Sequence, residues 1–417
     1  MPLSNKVSQM ASQLIGSEVL KIAGEIQSLK ASGKKILNFT VGDFDPKFFP
    51  IPELLTEEIK QSFSKSETNY PPSSGMPELR SAVAEFYTRE FKTQTLASEV
   101  LIAGGARPLI YTIFTALVDP GDTVLYPVPS WNNNHYCHLS KANGIAINCG
   151  AENSFLPTVA QLAPHFKKAR LLCLNSPLNP TGTNFSKQSL VEICSLVIEE
   201  NEARISRNEK PLYLMFDQIY WKLTHGAAQH FFPTALVPKI KPFVIYVDGI
   251  SKYFCGTGLR VGWSILPESL MSPFSAILGH VGAWAPKPEQ IATAKFLNSS
   301  ANVNAFIDVT REKLLQRLST MFEGIQELKK LGLPIDAIRP EGGIYLSLQL
   351  QSRQKNLTNE ALRKLLLEKA GIAVVPFQAF GLPADSGWFR LSMGAVSKED
   401  CIEALKNIRH FLLTELS

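Results

Sequence analysis

Six short apolar runs constrain this chain more than anything else in it. EVLIAGG near 99 to 105, TVLYP at 123 to 127, IAINC at 145 to 149, LLCLNSP at 171 to 177, YLMFD at 213 to 217 and FVIYVDG at 243 to 249 are apolar on both faces. A strand of that kind has to be covered on two sides, which is the situation of a mostly parallel sheet between helices. Pro108 to Leu117, Lys187 to Glu200 and Glu289 to Leu297 carry helix-type spacing, so the middle of the chain reads as repeated strand-helix units. Ligands of such sheets sit outside the carboxyl ends of the strands, so the residues that follow the runs are where chemistry is to be sought.

The character changes after a long helical stretch from Val303 to Leu331. From Ile344 the pattern is strand (IYLSLQL), helix from an N-cap at Thr358 to Ala370, strand (IAVVP), strand (WFRLS) and a helix from Lys398 to Leu413, which suits a smaller α+β unit. An N-terminal helix, Ser17 to Leu29, and a turn at Gly42 are expected to pack on that unit. The expected division is an N-terminal segment 1–50, a large α/β domain 51–302 and a small domain 303–417 built from both chain ends. A net charge of +5 without any block of five like charges implies neither a nucleic-acid nor a membrane partner, and no run of eighteen apolar residues occurs. Six cysteines stand singly, without CxxC pairs or zinc spacing, and no leader-like N-terminus is seen, so a reduced, cytoplasmic protein is expected.

The segment Asp248 to Trp263, DGISKYFCGTGLRVGW, places Lys252 in a Ser/Gly loop and Arg260 eight residues later. A lysine that forms a Schiff base needs a partly desolvated position that favours the neutral amine, and an arginine fork beside it can grip a phosphate. The competing reading, a dinucleotide loop through Gly256, Gly258 and Gly262, fails because Val261 stands where that pattern requires glycine. Asp217 ends an apolar run with Tyr220 three residues on, and Asn175 to Gly182 reads NSPLNPTG; taken singly these are a cap residue and a turn. Gly104-Gly105-Ala106-Arg107 follows a run and opens a helix, where the amides of Gly105, Ala106 and Arg107 and the helix dipole favour an anion.

Taken together and in order, these segments resemble the class I/II aminotransferases of fold type I, which use pyridoxal 5'-phosphate (PLP). The resemblance spans roughly Ser17 to Leu412. It implies that Lys252 carries the cofactor as a Schiff base, that Asp217 holds the pyridine nitrogen protonated, and that Tyr220 and Asn179 contact the ring's phenolic oxygen. Gly105, Ala106, Arg107 and Arg260 would take the phosphate, with Trp131 of PSW stacked on the ring. Tyr70, in NYPPSSGMPELR, would reach the phosphate of a partner subunit, which implies a homodimer with shared active sites. Arg390 of WFRLS would bind the substrate α-carboxylate beside Gly42 of VGDFDP and Asn179. Arg107, with Trp131 and Ser17 nearby, would read a distal carboxylate. The implied reaction is ping-pong transfer of an amino group from an L-amino acid, best aspartate or glutamate, to a 2-oxo acid. An aromatic aminotransferase, or a lyase or decarboxylase on the same fold, shares the cofactor residues. A PLP-binding regulator is disfavoured by the 41 residues before Gly42. Three departures stand out: Gly249 where many members have Ser or Thr for phosphate, Phe377 where a glycine often precedes SAFG and where bulk would narrow the substrate mouth, and GDFDP in place of GEPDF.

Overall fold

The computed structural model describes residues 6–14, 16, 18–131, 133–351 and 357–416, so Ser17 lies outside the described residues. Its strands, in chain order, are β1 (Leu37–Asn38), β2 (Val100–Ala103), β3 (Thr123–Val128), β4 (Asn143–Asn148), β5 (Ala169–Asn175), β6 (Tyr213–Asp217) and β7 (Val244–Gly249). They continue with β8 (Gly262–Ile265), β9 (Ile335–Ile338), β10 (Tyr345–Leu350), β11 (Ile372–Ala373), β12 (Val375–Pro376) and β13 (Trp388–Ser392).

Seven of these form the central sheet in the order β2-β8-β7-β6-β5-β3-β4. All run one way except β8, antiparallel to both neighbours. The apolar runs become β2 to β7, and their side chains divide by period two. Leu171, Cys173, Met215 and Val247 enter one buried cluster, whereas Leu172, Leu174, Leu214 and Phe216 enter the other. Helices cover both faces: Ala106–Leu117 and Glu268–Val281 meet on one side, and Lys187–Ser206 feeds Leu190, Ile193 and Val197 into the other cluster. One run departs from expectation. β4 is one edge of the sheet and most of its residues keep solvent contact, whereas β2 at the other edge is buried throughout.

The strand expected over IAVVP is divided. β11 pairs in parallel with β1, whereas β12 joins an antiparallel sheet of order β12-β13-β10-β9. The N-terminal segment is thereby tied to the C-terminal part of the chain. Glu25, on the helix Glu18–Ala31, adds an ion pair to buried Arg363 of the helix Asn359–Ala370 (2.7 Å). Thr358 caps that second helix as expected, accepting from the Ala361 amide at 3.2 Å. Among the described residues no helix is long and apolar enough to cross a membrane.

Candidate active site

The carboxyl ends of β5, β6 and β7 make the floor of a site. Asn175 and Asp217 are register partners at the ends of β5 and β6. Asn175 Nδ2 donates to the Asp217 carbonyl (2.8 Å), and its Oδ1 accepts the Asn179 amide (2.8 Å), so NSPLNPTG folds back over the strand ends. That fold presents the Asn179 Oδ1, which accepts from Arg390 Nη1 at 3.1 Å. Arg390 lies in β13 and is 1% exposed. Its Nη2 donates to the Thr40 carbonyl (2.6 Å), its Nε has no partner, and its Cζ stands 4.8 Å from the ring centroids of both Tyr345 and Phe380. Among the described residues no carboxylate pairs with it. A buried guanidinium without a counter-ion is a costly arrangement that an incoming carboxylate relieves.

Lys252 follows β7 and its Nζ donates to the Gly42 carbonyl at 2.8 Å, 5.9 Å from the Tyr220 ring. The side chain keeps some access to the cleft while its ammonium is hemmed in. Burial lowers its pKa to about 8; the field of Asp43 opposes this, and those of Arg390, Arg107 and Arg260 add to it. The fields of three guanidiniums therefore act on one amine. Burial likewise pushes the Asp217 carboxyl up to about 6, against the pull of the Ile219 amide and of Lys252. Tyr220 and Tyr345 are both buried and share a 2.6 Å hydroxyl contact.

The turn from β2 into the helix Ala106–Leu117 has Gly105 at the N-cap with φ of 97°, a conformation that favours glycine, and no side chain caps the helix. Contrary to expectation the Gly105 amide is spent on the Ala103 carbonyl (2.7 Å), because the tight turn points it backward. Gly105 matters here for the space it leaves: a Cβ there would lie 2.3 Å from Arg260 Nη2. Arg260, itself left-handed (φ 56°), donates to the Gly104 carbonyl (3.0 Å) and the Thr257 carbonyl (2.6 Å). The close approach continues inward. A Cβ on Gly262 would lie 2.5 Å from the Gly105 carbonyl carbon, and one on Gly249 2.7 Å from the Gly262 Cα. Gly249 is thus the innermost of three stacked glycines, and at this backbone spacing no side chain fits there.

At the rim, exposed Arg107 stands with its Cζ 5.7 Å from the Trp131 ring, and Trp131 packs 5.9 Å from Phe380. Tyr70 is 82% exposed and touches only Trp284 edge-on, at 5.2 Å, among aromatic neighbours. The expectation that Phe377 narrows the mouth is corrected: it is fully buried against Phe155 and Trp388, and it backs the segment that carries Phe380. In the GDFDP turn Asp43 Oδ1 accepts the Phe44 amide (2.8 Å), and its carbonyl packs so closely on Gly394 that no side chain fits there. Tyr345, Phe380, Thr40 and Asp43 escaped the sequence reading. A glycine pair before Tyr345 was the one usable signal, since a Cβ on Gly342 would meet the Pro177 side chain at 2.5 Å.

These groups fit a cofactor that bears an aldehyde, a basic ring nitrogen and a phosphate. Lys252 offers a partly neutral amine, Asp217 a half-buried carboxyl with no cation bonded to it, and Arg260 with the uncapped helix start an anion site. The chain is 29% identical to the aspartate aminotransferase of Streptomyces avermitilis, across 99% of this chain and 97% of that protein. It is 27% identical to a probable aspartate/prephenate aminotransferase of Aquifex aeolicus, across 97% and 98%. Its fold matches the aspartate aminotransferase from Thermus thermophilus with maleate at a TM-score of 0.87 and 25% identity, across 97% and 99%. The model of the family Aminotransferase class I and II matches residues 34–408. With fold, site chemistry and relatives in agreement, the chain belongs to the class I and II aminotransferases and is a PLP-dependent enzyme.

Proposed function

We propose that this aminotransferase takes an acidic L-amino acid, aspartate or glutamate, as amino donor and a 2-oxo acid as acceptor. The observation that carries the reading is the number of cations. Arg260, Arg390 and Arg107 all lie close enough to Lys252 to depress its pKa. The cofactor phosphate and the substrate α-carboxylate account for two of them, which leaves one for a distal carboxylate. Arg390, buried and fixed by Asn179 and Thr40, suits the α-carboxylate common to every substrate. Arg260 suits the phosphate, and exposed Arg107 over Trp131 suits the variable end of the substrate. The Thermus thermophilus relative was solved with maleate, itself a dicarboxylate.

When bound, PLP supplies an electron sink. Asp217 would keep its ring nitrogen protonated, Tyr220 and Asn179 would lie at its phenolic oxygen, and Gly105, Ala106 and Arg107 would line its phosphate end. Lys252 would hold the aldehyde and, once released, move the substrate α-proton as general acid and base. Its lowered pKa of about 8 keeps a useful fraction neutral near neutral pH. Gly42 sits beside the Arg390 fork: a Cβ there would meet Tyr345 Oη at 3.0 Å and Arg390 Nη1 at 3.5 Å, so a side chain would crowd the α-carboxylate. Incubation of the purified, PLP-loaded protein with aspartate and 2-oxoglutarate should yield glutamate. Preference for an aromatic donor, for which Trp131, Phe380 and Tyr345 would be the lining, would sink the acidic assignment.

The same reading includes a homodimer. Its support is Tyr70, whose 82% exposure leaves a large aromatic side chain without cover in one chain. Mixed Tyr70→Phe and Lys252→Ala homodimers, each inactive alone, should regain part of the activity on exchange, and no recovery despite proven exchange counts against it. The accompanying chain division is 1–50, 51–302 and 303–417, supported by the pairing of β1 with β11 and of Glu25 with Arg363. A reduced, cytoplasmic setting is supported by six free cysteines, all buried.

A further inference from the structure

Behind the floor lies a polar centre that the reaction does not use. Asp248, the penultimate residue of β7, is fully buried, and four donors converge on its carboxylate. Oδ2 accepts from the Tyr87 hydroxyl, from Trp221 Nε1 (2.7 Å) and from the Tyr253 hydroxyl (3.2 Å), while Oδ1 accepts the Gly249 amide (2.7 Å). Tyr87 in turn accepts from Gln218 Nε2 (3.1 Å) and Trp263 Nε1 (3.2 Å). Burial pushes the Asp248 carboxyl up to about 8, and all four donors pull it back. No cation pairs with it among the described residues, so its place in a dry core rests on those donors alone.

The order of these partners along the chain is what gives the centre a use. Gln218 follows Asp217, Trp221 follows Tyr220, and Tyr253 follows Lys252. The immediate successors of all three floor residues therefore end on one buried pair, Asp248 and Tyr87. Anchoring a side chain fixes the peptide planes that flank its Cα, and with them the direction of the preceding side chain. The three floor residues come from two different strand ends, β6 and β7, and a shared anchor keeps their mutual geometry when either loop moves. Resting on the cofactor reading above, we propose that Asp248 is a positioning residue which, through Tyr87, Trp221 and Tyr253, aims Asp217, Tyr220 and Lys252 at the bound cofactor. It touches neither cofactor nor substrate itself.

Tyr253→Phe deletes one donor and preserves ring shape, Trp221→Phe deletes one donor and keeps an aromatic ring at some loss of volume, and Asp248→Asn preserves volume. The control is Tyr246→Phe, which removes a buried hydroxyl of the same aromatic cluster whose partner is Thr234 (2.9 Å) instead. On the PLP-loaded enzymes we would measure kcat, KM, Tm and the pH midpoint of the bound cofactor's visible absorption. On the cofactor-free proteins we would measure the rate at which an amine reagent labels Lys252. Trp221→Phe and Tyr253→Phe should lower kcat by up to about 10²-fold, the cost of a misplacement of about 1 Å, with KM nearly unchanged. Both should also shift the absorption midpoint and the Lys252 labelling rate. Tyr246→Phe should lower Tm and leave the other readouts at parental values. Should Trp221→Phe and Tyr253→Phe behave like this control, moving Tm alone, the centre is merely structural and the proposal is overturned. Those two variants decide the matter even if Asp248→Asn does not fold. A parent enzyme that takes up PLP on a lysine other than Lys252 would overturn the cofactor reading itself, and this inference with it.

Discussion

The floor and the rim of the cleft are built on opposite principles. On the floor, Asp217, Tyr220, Asn179 and Arg390 are locked by neighbours in the same chain, and burial raises the pKa of the Asp217 carboxyl. At the rim, Tyr70, Arg107 and Arg260 stand exposed, engaged only by the edge of Trp284, the ring of Trp131 and two backbone carbonyls respectively, among the contacts of the described residues. A preorganised floor serves every substrate of the family's chemistry, since each presents the same amine and α-carboxylate. An open rim is where the differences are read: the distal group of the substrate, the phosphate and a second subunit each bring their own counterpart. Changes on the floor should therefore abolish turnover for all donors alike, whereas a change at Arg107, the rim cation left for the variable end of the substrate, should sort one donor from another.

Lys252→Ala is the sharpest floor test. Loss of the one amine that burial and three arginines hold near pKa 8 should reduce turnover by about 10⁴-fold or more, the upper range for a positioned acid/base group, and equally for every donor. Borohydride reduction of the parent followed by peptide mapping should find the cofactor on Lys252. A residual rate that depends on the donor would break the contrast between floor and rim. Arg107→Met tests the rim. A charged hydrogen bond contributes about 1.5 to 3 kcal/mol, so kcat/KM for aspartate should fall by roughly ten- to 150-fold, while leucine or phenylalanine loses much less. Equal losses would assign Arg107 to the phosphate or the fold.

The two regions also differ in how much of them the chain's order of residues discloses. The roles of Asp217, Lys252 and the NSPLNPTG loop came from the family resemblance, but their places in the fold were legible because floor residues end apolar runs or sit in long motifs. The central sheet was legible for the same reason, except β8, whose four residues GWSI are too short to show a period. Tyr345, Phe380 and Thr40 were not, because they reach Arg390 only when the C-terminal sheet closes over the strand ends. Phe377 was misread because a local motif does not reveal which way a side chain faces in a one-turn 3-10 segment. Nor could Gly249 be understood from its neighbours in sequence. Its constraint comes from Gly262, thirteen positions on, and from Gly105 beyond that.

That constraint yields a smaller effect, on stability. Gly249→Ser would add the hydroxyl that the family resemblance leads one to expect here, yet its Cβ would collide with backbone at the Gly262 Cα and the Val261 carbonyl, both 2.7 Å away. Overpacking against backbone costs about 1 to 3 kcal/mol, so Tm should drop, with turnover of the folded fraction less affected. Gly258, with nothing within 4 Å of its added Cβ, is the matched control, and Gly258→Ala should change stability by no more than about 0.5 kcal/mol. A Gly249→Ser protein as stable as its parent would mean that β7 and β8 part readily, and that the floor is less rigid than its hydrogen bonds make it.

The smallest effect expected is a pH dependence of the cofactor-free protein, and it probes the floor without any chemistry. Asp217 titrates near 6 in the folded chain because burial disfavours its charge, against an ordinary 3.8. Between those values the folded protein keeps a proton that the unfolded chain has released, so the native state binds more protons and stability falls as pH rises through the window. Below the window both states are protonated and the term vanishes. Above it both are ionised, and the full cost of holding an unpaired carboxylate in the floor is felt. Asp217→Asn cannot titrate, so relative to its parent it should gain stability between pH 4 and 7 in urea unfolding of the cofactor-free protein. Addition of PLP should reverse that order at neutral pH, since a protonated ring nitrogen gives the parental carboxylate the cation it lacks while the amide gains nothing comparable. Parallel stability curves for the two cofactor-free proteins would mean that solvent already reaches Asp217, and that the floor owes its protonation state to the ligand and not to burial.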